Sequence, residues 1–270
     1  MLDKKIVFLG AGNMAEALIR GLVISGLVNK QNILATDIRQ ERLNYIKKKF
    51  GTRVSSDNKK AVRQGEIIVL AVKPQQMEGL LGEIGDAVTG EQLVISIAAG
   101  IPTKYIEKFF DQRVPVTRVM PNTPALVSEG ASAITPGKYA NKKHLEIAKK
   151  IFSAVGYVTV LPEKLLNPVT ALSGSGPAYV FYLAEILNES AKKMNLPERI
   201  AQELVNQTIL GAAKMLKVTG ESAEILRQKV TSPGGTTETA IKYLESKEFK
   251  RIFIDAILKA KKRAQELTPK

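Results

Sequence analysis

The sequence has 270 residues, of which 44% are hydrophobic and 24% charged, so it is long enough for two globular domains and its composition excludes extended disorder. The formal net charge is +14, but the Lys and Arg residues are spread along the chain without interleaved aromatic residues, which argues against a nucleic-acid partner. Cysteine is absent and the one histidine, His144, lies in a polar stretch typical of a solvated helix start, so we expect neither thiol nor histidine catalysis and no bound metal.

Membrane and secretion signals are not apparent in the sequence. No apolar run approaches the length that a membrane span needs, and residues 1–5 lead directly into a strand pattern without a cleavable signal region. We therefore expect a cytoplasmic protein with no membrane partner.

The first half of the chain predicts an α/β fold. Short apolar runs alternate with helical patterns between residues 4 and 160, and runs that are apolar on both faces are typical of buried parallel strands. The predicted strands are Ile6–Leu9, Ile33–Thr36, Ile67–Leu70, Leu93–Ser96, Val116–Met120 and residues 157–160. Residues 1–162 are therefore predicted to form a Rossmann-type, dinucleotide-binding domain with a doubly wound, mostly parallel sheet.

The second half predicts helices alone. The first covers residues 177–193 and the second begins near Pro197. Three more cover residues 222–229, 237–244 and 249–267. Apolar residues surround the first three turns of the first of these helices, which is typical of a buried helix. Residues 163–270 are too few to bury this surface alone, so we predict an all-α domain for dimerisation and substrate binding, and a homodimer.

A glycine motif follows the first predicted strand and opens the first helix. Gly10, Gly12 and Ala15 form the pattern GxGxxA. The first glycine permits a tight turn, the second lets the backbone approach a pyrophosphate, and the alanine permits close packing of the helix on the strand. Because phosphates bind at the N-terminus of such a helix, we predict that Gly10, Gly12, Asn13 and Met14 contact a dinucleotide cofactor.

Two residues after the second predicted strand give opposite indications about the cofactor. Asp37 suits the ribose 2′-hydroxyl of NAD, whereas Arg39 suits the 2′-phosphate of NADP. Arg39 is also compatible with an ordinary exposed position at the start of a helix. The sequence therefore predicts a nicotinamide cofactor and leaves NADP(H) and NAD(H) as alternatives.

Later strand ends lie at the same edge of an open sheet, where ligands bind. Small and rigid residues follow the strands there, and we predict cofactor contacts for Ala71, Val72, Lys73, Pro74, Ala98 and Asn122. Lys73 is equally compatible with a solvated loop lysine. Prolines on both sides of Asn122 make that connection unusually rigid.

Two loops of small residues precede helices in the second half. The first ends in Ser175, and the second contains Ser232, Gly234, Gly235 and Thr236. Successive backbone N–H groups at a positive helix end form a receptor for a carboxylate, so we predict that these residues bind substrate. The alternative is ordinary helix capping by Ser175 and Thr236.

Together, these segments resemble the pyrroline-5-carboxylate reductase family. The motifs GxGxMxxA, AVKPQ, VMPNTPA, SGSGPAY and SPGGTT occur in the family's order and spacing over essentially the whole chain. The resemblance implies an NAD(P)H-dependent oxidoreductase that reduces the C=N bond of 1-pyrroline-5-carboxylate to L-proline, the last step of proline biosynthesis. It implies NADPH as the usual cofactor, so Asp37 departs from the family pattern.

The resemblance also implies roles for individual residues. Residues 232–236 correspond to the family's loop that holds the carboxylate of the imino acid, and Thr237 corresponds to the catalytic threonine that faces the ring nitrogen. Asn58 matches the asparagine that contacts the adenosine part of the cofactor. The family assembles as homodimers, and some members form homodecamers, which are pentamers of dimers.

Two other functions are compatible with the same motifs. One is reduction of another cyclic imine or of a 3-hydroxy acid on this scaffold. The other is a non-enzymatic, NAD(P)-sensing regulator whose helical half binds a partner, although no DNA-reading helix precedes the predicted sheet. Turnover of a substrate separates an enzyme from a regulator.

Overall fold

The computed structural model describes residues 1–268, which form two compact units. One unit comprises Met1–Ser175 and the segment from Ala260, and the other comprises Gly176–Lys259. The first unit continues past residue 162, where the sequence predicts a boundary, and Glu163 accepts hydrogen bonds from Thr103 within it. The last two residues of the predicted second domain lie outside the described residues.

An eight-stranded sheet organises the first unit. Its strands are β1 Ile6–Leu9, β2 Ile33–Thr36, β3 Arg53–Ser55, β4 Ile67–Leu70, β5 Leu93–Ser96, β6 Val116–Met120, β7 Gly130–Pro136 and β8 Gly156–Val160. The order is β3-β2-β1-β4-β5-β6-β7-β8, and every neighbouring pair is parallel except β6 with β7. The predicted doubly wound, mostly parallel sheet is thus confirmed.

Helices connect most of these strands, and one further helix follows β8. They are α1 Asn13–Ile24, α2 Gln40–Phe50, α3 Asn58–Val62, α4 Met77–Ile84, α5 Thr103–Glu107, α6 Lys142–Ser153 and α7 Leu166–Val169. Short 3₁₀ turns lie at Lys30–Asn32, Pro74–Gln76, Gly85–Ala87, Thr123–Val127 and Glu163–Leu165, and a π-helical turn lies at Thr170–Gly174.

The central strands of the sheet are buried on both faces. Every residue of β1, β2, β4 and β5 is buried, which accounts for their apolar sequences. Alternate residues enter different clusters, since Phe8 packs in one with Phe152 and Leu9 packs in the other with Leu81. The central strands are therefore fixed by packing on both faces.

The strand register brings three loops to one edge of the sheet. Leu9, the last residue of β1, pairs with Thr36 at the end of β2 and with Leu70 at the end of β4. Because these strands are parallel, the loops that begin at Gly10, Asp37 and Ala71 start side by side.

The second unit is helical, as predicted. Its helices are α8 Gly176–Lys193, α9 Glu198–Thr219, α10 Ala223–Lys229, α11 Thr236–Ser246 and α12 Phe249–Glu266, whose part from Ala260 is counted with the first unit. Large apolar side chains remain on its surface, such as Phe181 at 61% and Tyr182 at 62% exposure. No helix within residues 1–268 combines the length and apolarity that crossing a membrane requires.

His144 has a structural role that differs from the predicted solvated side chain. It occupies the first turn of α6, where its Nδ1 accepts a hydrogen bond from the backbone N–H of Asn141 at 3.1 Å. The Asn141 side chain in turn accepts from the backbone N–H groups of Lys143 and His144. The two residues thus form a capping box, and the imidazole is half-buried.

We predict that His144 makes the stability of the protein depend on pH. Burial lowers the pKa of His144 below its usual 6.5, and Nδ1 must be unprotonated to accept the Asn141 amide. The stabilisation is therefore present above pH 6.5 and is lost as the pH falls through the lower pKa of the folded state. In His144→Gln the side-chain oxygen takes the same N–H and does not titrate, which removes the dependence.

Thermal unfolding of both proteins between about pH 5 and pH 8 checks this prediction. The wild type should lose about 2 °C or less relative to His144→Gln over that range, because a partly exposed cap stabilises a protein this size only modestly. A difference between the two proteins that stays constant with pH would contradict it.

Candidate functional site

The turn between β1 and α1 lies against the end of β4. Gly10 has a φ of +96°, and a Cβ atom there would lie 2.7 Å from the carbonyl oxygen of Ala71. Its N–H donates to the carbonyl oxygen of Thr36 at 3.0 Å. Only glycine fits this conformation and this contact, so the predicted tight turn is present.

The N-terminus of α1 opens onto free space. Gly12 is the N-cap residue, with no side-chain cap on the helix, and a Cβ atom there would meet no protein atom within 4 Å. Asn13 and Met14 follow in the first turn, exposed and half-buried respectively. Backbone N–H groups of a first turn have no partner within the helix, so this end attracts anions.

A cavity of about 340 Å³ lies beside this turn. Its wall consists of Gly10, Gly12, Thr36, Asp37, Ile38, Arg39, Asn58, Ala71, Val72, Lys73, Gln76 and Leu80. Most of the predicted cofactor residues therefore come together, from four separate stretches of the chain. Asn13, Met14, Pro74, Ala98 and Asn122 are not part of this wall.

Four residues of the wall were not predicted from the sequence. Thr36 is the last residue of β2, and its hydroxyl donates to Oδ1 of Asn58 at 2.6 Å. Gln76 caps its own turn by accepting from the N–H of Lys73, and Ile38 is 87% exposed between two predicted residues. Thr36, Ile38 and Gln76 lie within two positions of predicted residues, so the sequence could have indicated them. No such indication exists for Leu80, because an apolar residue at its position on α4 is expected to pack in the core.

Asp37 and Arg39 bind each other. Oδ1 of Asp37 accepts from the backbone N–H and from Nε of Arg39, each at 3.0 Å, and Oδ2 accepts from Nη2 of Arg39 at 3.2 Å. Oδ2 also accepts from the N–H of Ala11 at 3.1 Å. The Asp37 side chain is 8% exposed and that of Arg39 is 63% exposed. The residue that suits NAD and the residue that suits NADP thus form one ion pair.

The environment keeps this carboxylate charged. Burial raises the pKa of Asp37, but hydrogen bonds from Arg39 and from the Arg39 and Ala11 amides outweigh it, so the pKa lies below its usual value. The wall of the cavity at this point therefore carries one negative and one positive group in contact.

Both polar atoms of the Asn122 side chain form hydrogen bonds with the backbone. Its Nδ2 donates to the carbonyl oxygen of Ser173 at 3.1 Å, and its Oδ1 accepts from the N–H of Ala131 at 2.8 Å. It thereby joins the end of β6, the start of β7 and the π-helical turn that precedes Ser175. Ala98 is buried after β5, and Pro74 begins a 3₁₀ turn after β4.

The loop before α11 holds a carboxylate already. Gly234 has a φ of +72°, and its N–H donates to Oε2 of Glu238 at 2.7 Å. Hydrogen bonds from Lys242 and from this amide keep the pKa of Glu238 below its usual value. The N-cap of α11 is Gly235 without a side-chain cap, and Thr236 is the first helical residue. The Thr236 side chain therefore does not cap this helix. Two of the loop amides have partners within the loop region, since the Gly234 N–H donates to Glu238 and the Gly235 N–H donates to the carbonyl oxygen of Ser232 at 3.0 Å.

Ser175 and Thr237 lie in different units. Ser175 ends the first unit directly before α8, and its N–H donates to the carbonyl oxygen of Thr170 in the π-helical turn. Thr237 lies in the first turn of α11, in the second unit, and is partly exposed. Within residues 1–268, no three His, Asp or Glu side chains are grouped so that they could hold a metal ion.

Comparison with known protein families identifies both halves of the chain. A family model described as pyrroline-5-carboxylate reductase dimerisation matches residues 163–267. A second, described as NADP oxidoreductase, coenzyme F420-dependent, matches residues 5–100. The first match begins at the boundary expected from the sequence.

Relatives match the chain from end to end. The pyrroline-5-carboxylate reductase of Methanosarcina acetivorans is 43% identical over 270 residues, 100% of both chains. That of Synechocystis is 40% identical over 97% of both. Among solved structures, a pyrroline-5-carboxylate reductase from Coxiella burnetii has a TM-score of 0.91 at 39% identity, and pyrroline carboxylate reductase from Plasmodium falciparum with NADP bound has 0.90 at 30%, each covering 100% of both chains.

We predict that Gly12→Ala selectively impairs dinucleotide binding. The φ of −69° suits alanine and no protein atom is near, so the free energy of unfolding should fall by no more than about 1 kcal/mol. The new methyl group occupies the space where a phosphate approaches the helix, so the Kd for NADP⁺ should rise at least about tenfold.

Calorimetric titration with NADP⁺ measures this effect. Gly82→Ala on α4 is the matched control, since a Cβ atom there also meets nothing within 4 Å and the residue is not in the cavity wall. An unchanged Kd in Gly12→Ala would contradict the placement of the phosphates.

Proposed function

The chain belongs to the pyrroline-5-carboxylate reductase family, and we propose that it reduces 1-pyrroline-5-carboxylate to L-proline with NADPH, as the last step of proline biosynthesis. It is an NAD(P)H-dependent oxidoreductase that acts on a C=N bond. The observation that carries the proposal is the full-length match, at 43% identity, of a chain that combines a dinucleotide cavity with an amide loop already engaged by a carboxylate. The substrate is a small imino acid.

The open helix end fits the cofactor. The N–H groups at Gly12, Asn13 and Met14 hold the pyrophosphate, and the turn at Gly10 provides the close approach. When bound, the reduced nicotinamide supplies the hydride. The other contacts along the sheet edge come from Asp37, Arg39, Asn58, Ala71, Val72, Lys73, Pro74 and Ala98. Asn122 contributes by holding the π-helical turn that precedes Ser175.

The loop before α11 binds the substrate. Ser232 and the amides of Gly234, Gly235 and Thr236 hold its carboxylate, which competes with Glu238 for the Gly234 N–H and with the Ser232 carbonyl oxygen for the Gly235 N–H. Ser175 is the further substrate contact. Glu238 is replaced on the Gly234 amide by a ligand of the same chemistry, whereas the Gly235 N–H must leave the carbonyl oxygen of Ser232.

The reaction depends on positioning the substrate rather than on side chains that act as acids or bases. A protonated C=N bond is already an electrophile, so the protein must hold the ring carbon in place and stabilise the charge that changes on nitrogen. The Thr237 hydroxyl hydrogen-bonds that nitrogen. A chain without cysteine, whose one histidine caps a helix, suits this chemistry.

The working form is a homodimer in the cytoplasm. The second unit leaves large apolar side chains exposed along α8, and it matches a family model described as a dimerisation domain. Exposed apolar surface of this extent is buried by association with a second copy. The alternative assembly is a homodecamer of five such dimers.

We predict that Thr237→Ala lowers kcat/KM for 1-pyrroline-5-carboxylate by about a hundredfold, because it removes a hydrogen bond that strengthens in the transition state. Loss of the near-ultraviolet absorbance of NADPH measures the rate. Thr208→Ala on α9 is the matched control, since its hydroxyl donates to the carbonyl oxygen of Leu204 within that helix and away from the loop. A kcat/KM in Thr237→Ala within about threefold of the wild type would show that the hydroxyl takes no part.

We predict that the ion pair at the cavity wall sets cofactor preference. Asp37→Asn keeps an acceptor for the Ala11 N–H but removes the charge that holds Arg39, so the preference for NADPH over NADH should rise about tenfold. Arg39→Met should weaken NADPH binding and leave NADH binding within about threefold. Fluorescence titration with each reduced cofactor gives the ratio, and a ratio unchanged in both variants would refute the assignment.

A further inference from the structure

A side chain from α2 holds the phosphate-binding turn from behind. Nε of Arg42 donates to the carbonyl oxygen of Ala11, and its Nη2 donates to that of Gly12 at 3.3 Å. The same Nη2 is paired with Oε2 of Glu16 on α1. Although it belongs to a surface helix, the Arg42 side chain is only 18% exposed. Two carbonyl groups of one turn are therefore tied to one guanidinium.

Because the peptide group is planar, the contact with Arg42 fixes the direction of the N–H groups in this turn. In a trans peptide the C=O and N–H groups point in opposite directions. A guanidinium that holds the Ala11 carbonyl therefore directs the N–H of Gly12 the other way, and one that holds the Gly12 carbonyl does the same for the N–H of Asn13. These are the N–H groups at the open end of α1. The Ala11 N–H is unavailable to a ligand because Asp37 accepts it.

Arg42 also cancels a charge that opposes anion binding. Glu16 lies in the first turn of α1 with its side chain 13% exposed. Burial raises its pKa, but hydrogen bonds from Lys49, Arg42 and Tyr45 outweigh this, so the pKa lies below its usual value and the group is ionised. A carboxylate so close to a bound phosphate repels it unless cations neutralise the carboxylate. Arg42 is the cation that contacts both Glu16 and the turn.

We propose that Arg42 is a positioning residue for the cofactor, which aims the N–H groups of the turn at the pyrophosphate and neutralises Glu16. The inference rests on the proposed function only in requiring a dinucleotide ligand. It assigns a role in binding, not in hydride transfer, so the KM for NADPH should change and kcat at saturating NADPH should not.

The test compares two ligands on Arg42→Gln and Arg42→Lys. Calorimetric titration with NADP⁺ should show a Kd raised at least about tenfold in Arg42→Gln, whereas adenosine 2′-monophosphate, which has no pyrophosphate, should bind within about threefold of its wild-type affinity. Arg42→Lys keeps the charge but loses the fork that spans two carbonyl groups, so it should recover only part of the NADP⁺ affinity.

Arg20→Gln is the matched control. Arg20 also donates to a backbone carbonyl, that of Leu126 at 2.6 Å, but does not touch the turn, so its loss should leave the Kd for NADP⁺ within about threefold. If Arg42→Lys bound NADP⁺ as tightly as the wild type, the positive charge alone would account for the effect. That result would overturn the proposal that Arg42 orients the N–H groups.

Equal losses for both ligands in Arg42→Gln would indicate general loosening and overturn the proposal, as would an unchanged Kd for NADP⁺. If Arg42→Gln fails to fold, Arg42→Lys decides between the same outcomes. Wild-type protein that binds NADP⁺ but does not reduce 1-pyrroline-5-carboxylate would refute the reductase and leave the inference about Arg42 standing.

Discussion

The contact between Gly10 and the carbonyl oxygen of Ala71 is the constraint on which the cofactor cavity depends. A side chain at Gly10 would hold the β1–α1 turn away from the end of β4. With glycine, the turn closes over the sheet edge, and the parallel register of β1, β2 and β4 places their following loops beside it. The open N-terminus of α1, the Asp37–Arg39 pair and the loop at Lys73 share one cavity for this reason.

Backbone groups rather than reactive side chains dominate both candidate binding regions. Each region already contains a carboxylate on a loop amide, Asp37 on Ala11 and Glu238 on Gly234, and in both cases the pKa of the carboxyl lies below its usual value. Amides arranged in this way stabilise an anion without titrating themselves. We therefore expect an enzyme whose activity depends on the placement of two ligands, and whose activity is most sensitive to mutation of residues that hold loops.

Much of the fold followed from the sequence, because buried parallel strands and capped helices carry strong local patterns. Strands β3 and β7 were missed. The first has only three residues and begins at exposed Arg53, and the second consists mostly of small residues. The glycine positions at the cavity were predictable for the same local reason. The Asp37–Arg39 pairing, the partners of Asn122 and the reach of Arg42 to Ala11 were not, because each depends on which loops the folded chain brings together.

The most direct test of the central claim is to count product against cofactor. Purified protein is mixed with 1-pyrroline-5-carboxylate and NADPH, and proline formed is measured alongside NADPH consumed. We expect one proline for each NADPH oxidised. NADP⁺ binding without proline formation, or NADPH oxidation with a different cyclic imine or a 3-oxo acid but not with this substrate, would contradict it.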